Sequence, residues 1–244
     1  MSRWRPIVLA PAVLAGLTLT ACESTQDKAK EVQAENARLL ASEHGISVKK
    51  PFKDVKVLGT TLLRDQYGDA VVVEVRNESK QTLVNMPILI DLRDAKGKSV
   101  YRNDLPGLDP ALTHIPLLRP GESFDWVNDQ LSPSGIPKTA KVRVGPPRGT
   151  APKQLPEIEV GPAKTEDNPS GILARGKITN KSQIDQLKLV VYAVARSGGQ
   201  VVAAGRGQFK NLKAGGNPGD YNIFFIGDPG GGEVTVTAPP SVMQ

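Results

Sequence analysis

The sequence predicts an all-β fold made of two tandem β-sandwiches, and three observations predict it. Glycine (24) and proline (20) are abundant in the 244 residues, while helical spacing is confined to one short stretch; that balance favours turn-rich β structure. Ala70-Val71-Val72-Val73-Glu74-Val75-Arg76-Asn77 and Leu187-Lys188-Leu189-Val190-Val191-Tyr192-Ala193-Val194 are runs of strand length, rich in β-branched residues. The landmarks around those two runs recur in the same order in both halves of the chain, which points to a duplicated unit.

The chain starts with Arg3 and Arg5. Ile7 to Leu19 is then apolar, interrupted by Pro11 and too short for a stable membrane span. It ends in Leu19-Thr20-Ala21-Cys22, and Cys22 is the sole cysteine of the sequence. This start resembles a bacterial lipoprotein signal peptide closing in its lipobox, with Leu19 at the apolar position, Thr20 next, Ala21 at the small position and Cys22 last. The resemblance implies that residues 1–21 are cleaved off. It also implies that the Cys22 thiol carries diacylglycerol and that the new amino terminus takes a further acyl chain such as palmitate. The expected location is the bacterial cell membrane, with the protein lipid-anchored and facing the extracytoplasmic side. An ordinary secretory signal with an incidental cysteine is the alternative. With Cys22 lipidated, no disulfide and no thiol nucleophile remain in the exported part.

Residues 22–50 read as the lipidated N-terminus and a helical spacer. Asp27 to Leu40 is rich in helix formers, Ser24 or Thr25 can cap it, and Gly45 can end it. The apolar stripe Ala29, Val32, Leu39 and Leu40 is thin and broken by Asn36, so the spacing suits a solvated spacer better than a coiled coil.

Residues 51–147 read as the first sandwich. Phe52 to Asp65 alternates, Asp65-Gln66-Tyr67-Gly68-Asp69 turns, and Ala70 to Asn77 is a strand that ends in Asn77-Glu78-Ser79. Pro87 to Asp94 is the next strand, Asp94-Ala95-Lys96-Gly97-Lys98 a hairpin turn, and Ser99-Val100-Tyr101 the return. Residues 102–120 form a long Pro-rich loop that is too apolar for an idle surface. Several of its apolar residues are expected to fold back onto the sandwich, and Leu105, Leu108, Leu112 and Ile115 are the candidates for a partner-binding patch that stays exposed. Ser123 to Val127 and Lys141 to Val144 complete the unit. Residues 148–154, within a Pro-rich run that cannot continue a sheet, are the linker.

Residues 155–240 read as the second sandwich. Ile172 to Ser182 parallels Val71 to Ser79, and both strands end in Asn-X-Ser: Asn77-Glu78-Ser79 and Asn180-Lys181-Ser182. Leu187 to Val194, Gly199-Gln200-Val201-Val202 and Leu212-Lys213-Ala214-Gly215 repeat Met86 to Leu92, Gly97-Lys98-Ser99-Val100 and Leu118-Arg119-Pro120-Gly121. Asp220 to Ile226 parallels Phe124 to Val127. Each half is expected to hold its own core, the second around Ile178, Leu189, Val191, Val202 and Phe224. This order resembles the FxLYD-type domains, small immunoglobulin-like β-sandwiches of bacterial envelope proteins. Asp94 of the first copy and Tyr192 of the second match that family's Phe-X-Leu-Tyr-Asp run. The resemblance implies tandem immunoglobulin-like sandwiches and carries no catalytic residues.

The chemistry-bearing residues are sparse. The two histidines, His44 and His114, have no metal-ligand spacing to each other or to Cys22. A Ser-His-Asp site would need His114, Asp109 and an unmarked serine, and a solvated loop histidine is the ordinary reading. Asp91 with Asp94, and Asp125 with Asp129, read as exposed strand and turn residues rather than acid–base pairs. Gly227-Asp228-Pro229-Gly230-Gly231-Gly232 joins strands and opens no helix, so it does not suit a phosphate. The formal charge of +6 is dispersed, with Lys49-Lys50 the longest basic run, which argues against nucleic acid. The expectation is a non-catalytic, lipid-anchored envelope protein that binds or scaffolds another envelope component. It needs no cofactor and no metal, and its partners are the membrane, through Cys22, and a further envelope protein. The alternative is a solute- or polymer-binding lipoprotein serving transport or cell-wall attachment.

Overall fold

Val71, Val73 and Val75 alternate along one strand with partners on both sides, and this is where the first core begins. The computed structural model describes residues 45–241, which form β-strands and loops with one 3-10 turn, Pro110–Leu112. The signal segment, Cys22, the spacer of residues 23–43 and His44 lie outside the described residues.

In the first half, β1 (Val55–Arg64), β2 (Asp69–Asn77) and β6 (Ser123–Asn128) form one antiparallel sheet in the order β1-β2-β6. The facing sheet centres on β3 (Leu83–Arg93). One edge of β3 pairs with β4 (Ser99–Arg102) and β5 (His114–Leu118), the other with β7 (Thr139–Val144). Trp126, Met86, Ile88, Ile90 and Leu92 are fully buried between the two sheets. Strand β3 starts at Leu83, ahead of the Pro87 that sequence reading put at its start. Pro87 is tolerated because only its carbonyl is used there, accepting from Gly145 N at 2.7 Å.

The second half repeats the plan. β8 (Ile158–Val160) and β9 (Lys164–Asn168) pair with β10 (Gly171–Asn180), which pairs with β13 (Pro218–Phe224). The facing sheet runs β14 (Ile226–Gly227), β12 (Gln200–Leu212), β11 (Gln186–Ser197), β15 (Glu233–Thr237). The chain changes sheets at Phe225, between β13 and β14, where Gly205 of β12 admits the crossing: a Cβ there would lie 2.0 Å from the Phe224 carbonyl oxygen.

The duplication extends to individual hydrogen bonds. Asn77 Nδ2 donates to the Gln81 and Leu118 carbonyls at 2.8 and 3.1 Å; Asn180 Nδ2 donates to those of Ile184 and Leu212 at the same distances. Each Oδ1 accepts from the N–H and hydroxyl of the serine two residues on, Ser79 or Ser182. Each backbone carbonyl accepts from a loop glycine at 3.0 Å, Gly121 or Gly216. Asn85 and Lys188, at equivalent places in β3 and β11, both take left-handed φ, 50° and 52°, which non-glycine residues seldom adopt.

Two core clusters form, the second from second-half residues alone, but the first is not confined to the first half. Along β11, Leu189, Val191, Ala193 and Ala195 enter the second core. The intervening Val190, Tyr192 and Val194, with Ala204 of β12, join the first. The sheet carrying β11 and β12 is therefore covered on both faces, one of them by the β1-β2-β6 sheet. The physical signal is the unbroken apolar run Leu189 to Ala195, as expected of a strand buried on two sides.

The strand ending in Phe224 is also corrected. Phe224 is 43% exposed and Phe225 2% exposed, because Tyr221 and Ile223 set the inward phase of β13. Val202 is only half-buried, whereas Ile178, Leu189 and Val191 are buried.

Candidate functional site

The junction between the sandwiches gathers the charged groups that sequence reading left on the surface. Asp125 of β6 and Asp129, one residue past its end, flank Val127 and both reach the second half. Arg196 Nη2 reaches Asp125 Oδ1 at 2.7 Å. Arg206 gives Asp129 two bonds, from its backbone N and its Nε, each 2.9 Å, with both side chains mostly buried. Asp125 and Asp129 are thus not exposed strand and turn residues but junction residues. Asp91 is likewise buried, 8% exposed, and is held by Arg93 Nη2 at 2.7 Å. Burial pushes the Asp91 pKa up, but the neighbouring Ser99 hydroxyl and Arg93 guanidinium outweigh it and leave the carboxyl below its ordinary value. Asp94 is a turn residue, accepting from Lys96 N and Lys98 N at 2.9 Å.

Between those ion pairs the Phe124 and Tyr192 rings meet edge-to-face, centroids 5.0 Å apart. Tyr192 sits directly opposite Arg206 in the β11–β12 ladder. Its hydroxyl is buried with no hydrogen-bond partner among the described residues, and burial drives its pKa well above the usual value.

The loop after β4 divides the four candidate partner-binding residues between surface and core. Leu105 is 61% exposed and Leu108 half-buried, while Leu112 and Ile115 are buried in the first sandwich and present nothing outward. Asn103, missed in the sequence, is the reason the loop can leave the sheet. Its buried amide donates to the Ile88 and Leu112 carbonyls at 2.8 Å and accepts from Ile90 N at 2.8 Å, filling the gap between β4 and β5. His114 opens β5 with Nδ1 2.9 Å from the Thr113 hydroxyl. Burial, then the Arg148 charge, lowers its pKa. His114 and Asp109 line one small cavity of about 140 Å³ with Tyr192, Lys188 and Val190, and no serine lines it. Among the described residues no three His, Cys, Asp or Glu side chains group as a metal site.

A larger cleft, about 460 Å³, opens on the junction at the β1–β2 turn. Asp65 of that turn accepts from Tyr67 N and Gly68 N at 2.7 and 3.1 Å through Oδ1, and from Gly227 N of the second half at 2.8 Å through Oδ2. Tyr67 is thereby held against Gly171, where an added Cβ would lie 3.3 Å from its ring, and remains 51% exposed. Gln66, Asn168, Ile172, Phe225 and Asp228 complete the lining.

The class that fold and junction define is a tandem, duplicated β-sandwich protein. No protein-family model and no curated protein matches the sequence. A chain from a solved structure described as "Chaperone-tip adhesin complex is vital for synergistic activation of CFA/I fimbriae biogenesis" is similar at 14% identity, over 74% of this chain and 98% of that one, with a TM-score of 0.20. That overlap is too slight to transfer any role.

Proposed function

We propose that this chain is a non-catalytic, lipid-anchored protein of the bacterial cell envelope, held at the extracytoplasmic face through Cys22. Its joined sandwiches would act as one rigid module that binds another envelope component. The observation that carries the reading is how the chemistry-bearing side chains are used. Asp65, Asp125 and Asp129 join the halves, Asn77, Asn103 and Asn180 brace loops, and Asp91 is paired within its own strand. Groups so committed build a scaffold rather than a reacting centre. Exposed Leu105 on its loop leaves a surface for a protein partner. The cleft at Tyr67 favours the second reading, attachment to a solute or wall polymer.

Two measurements test the proposal. In detergent-phase partition, the intact protein is expected in the detergent phase and Cys22→Ser in the aqueous phase; equal aqueous partition of both would remove the anchor. A photocrosslinker at Leu105 in intact cells is expected to yield a discrete envelope-protein adduct. Failure to yield any would remove the protein-partner reading.

A further inference from the structure

We infer that the cleft at Tyr67 is a saccharide-binding site, built jointly by both sandwiches and selective for sugar units without negative charge. This inference gives a ligand class to the polymer-binding reading above and rests on it.

Three features of the cleft point to a sugar. The first is an aromatic platform. Tyr67 is a half-exposed ring on an otherwise polar turn, and Ile172 and the deeply buried Phe225 continue the apolar floor. The C–H faces of a pyranose pack on such a ring.

The second is the mixture of hydrogen-bonding groups around that platform. Asn168 and Asp228 each use one oxygen on a local turn, accepting from Ser170 N at 3.0 Å and Gly230 N at 2.8 Å. That leaves the Asn168 amide N–H groups and the second Asp228 oxygen for a ligand, and Gln66 adds a donor and an acceptor. Donors and acceptors interspersed around an apolar patch match the hydroxyls of a sugar. Among the described residues the lining includes no lysine or arginine, while Asp65 and Asp228 are both acidic. An anionic ligand would meet uncompensated repulsion there.

The third is rigidity. The Asp65 carboxylate takes three backbone N–H groups from both halves, so the position of Tyr67 is fixed before any ligand arrives, which lowers the ordering cost of binding. The cleft volume of about 460 Å³ falls within the range of small-ligand sites, roughly 300–1,000 Å³.

The test uses the detergent-solubilised full chain and saturation-transfer difference NMR with two probes: chitotetraose, which is uncharged, and the hyaluronan tetrasaccharide, which is anionic. Chitotetraose is expected to receive magnetisation from the protein and hyaluronan tetrasaccharide not to. Tyr67→Ala should weaken chitotetraose binding at least tenfold and Tyr67→Phe should retain it, both with an unchanged melting temperature. Gln66→Ala, at an exposed side chain, supplies a second variant and should weaken binding severalfold. No transfer to chitotetraose, equal transfer to both probes, or binding indifferent to Tyr67 and Gln66 would overturn the inference. Retention on isolated cell-wall material separates it from the parent reading. Retention without chitotetraose binding would discard the saccharide cleft alone, and loss of both would discard polymer attachment as well.

Discussion

The two sandwiches share the same braces and differ in one strand. In the second half, β12 runs unbroken from Gln200 to Leu212 against β11. In the first, the matching strand is split into β4 and β5, and residues 103–113 leave the sheet. Both halves keep the Asn-X-Ser brace that ties the end of one strand to the opposite sheet. The comparison teaches that the brace, not strand continuity, holds the repeated architecture. Once Asn103 takes over the backbone pairing at Ile88 and Ile90, a strand can be opened and a surface loop inserted with those two groups still paired.

The largest expected effect breaks that contrast directly. Asn103→Ala orphans Ile90 N and the Ile88 and Leu112 carbonyls and should cost about 3–5 kcal/mol in a urea melt. The unbroken β12 has no residue with that role, so no single side-chain truncation there should expose strand groups in the same way. Next come the braces themselves. Asn77→Ala and Asn180→Ala should each cost about 2 kcal/mol, and the two should agree within error, because the bonds match in partner and length. Unequal costs would mean that the brace matters in one half only.

A smaller change should stabilise. Tyr192→Phe removes a buried hydroxyl that has no partner and keeps the ring against Phe124, so stability should rise by about 1 kcal/mol. The smallest effect is a pH dependence. The His114 pKa is lowered in the folded state by burial and by Arg148, so the unfolded chain binds a proton more readily. Stability should therefore fall as pH drops below the ordinary histidine value of about 6.5, and level off below the folded-state value. His114→Gln should flatten the slope in that window, and an unchanged slope would exclude this histidine as its source.

Much of this was legible in sequence. The repeated Asn-X-Ser, the paired glycine hairpins and the Leu-(Lys/Arg)-X-Gly turns marked the duplication, because turn chemistry demands particular residues at particular positions. The phase of Phe224 and Phe225 was not legible: adjacent aromatics fit either register, and Tyr221 decides it only through its place on β13. β9, Lys-Thr-Glu-Asp-Asn, is polar throughout and gives no hydrophobic period. Within the junction, Asp125 and Asp129 find their arginines 71 and 77 residues away, and no local pattern encodes such pairs. The run from Leu189 to Ala195 did carry the message that β11 is covered on both faces, once read as a central rather than a half-exposed strand. Of the cleft, the Asp65 turn and the Gly227–Asp228 loop are legible one by one, but not their meeting, since they lie far apart in the chain.

The two sandwiches form one cooperative body, with Val190, Tyr192 and Val194 of the second built into the core of the first. Differential scanning calorimetry of the full chain, with and without Asp129→Ala, tests it most directly. A single transition is expected, with calorimetric and van't Hoff enthalpies in agreement. In Asp129→Ala that whole transition should move down by the equivalent of about 3–5 kcal/mol, because Arg206 is left buried without its carboxylate. Two resolved transitions, with only one of them shifted by Asp129→Ala, would contradict it.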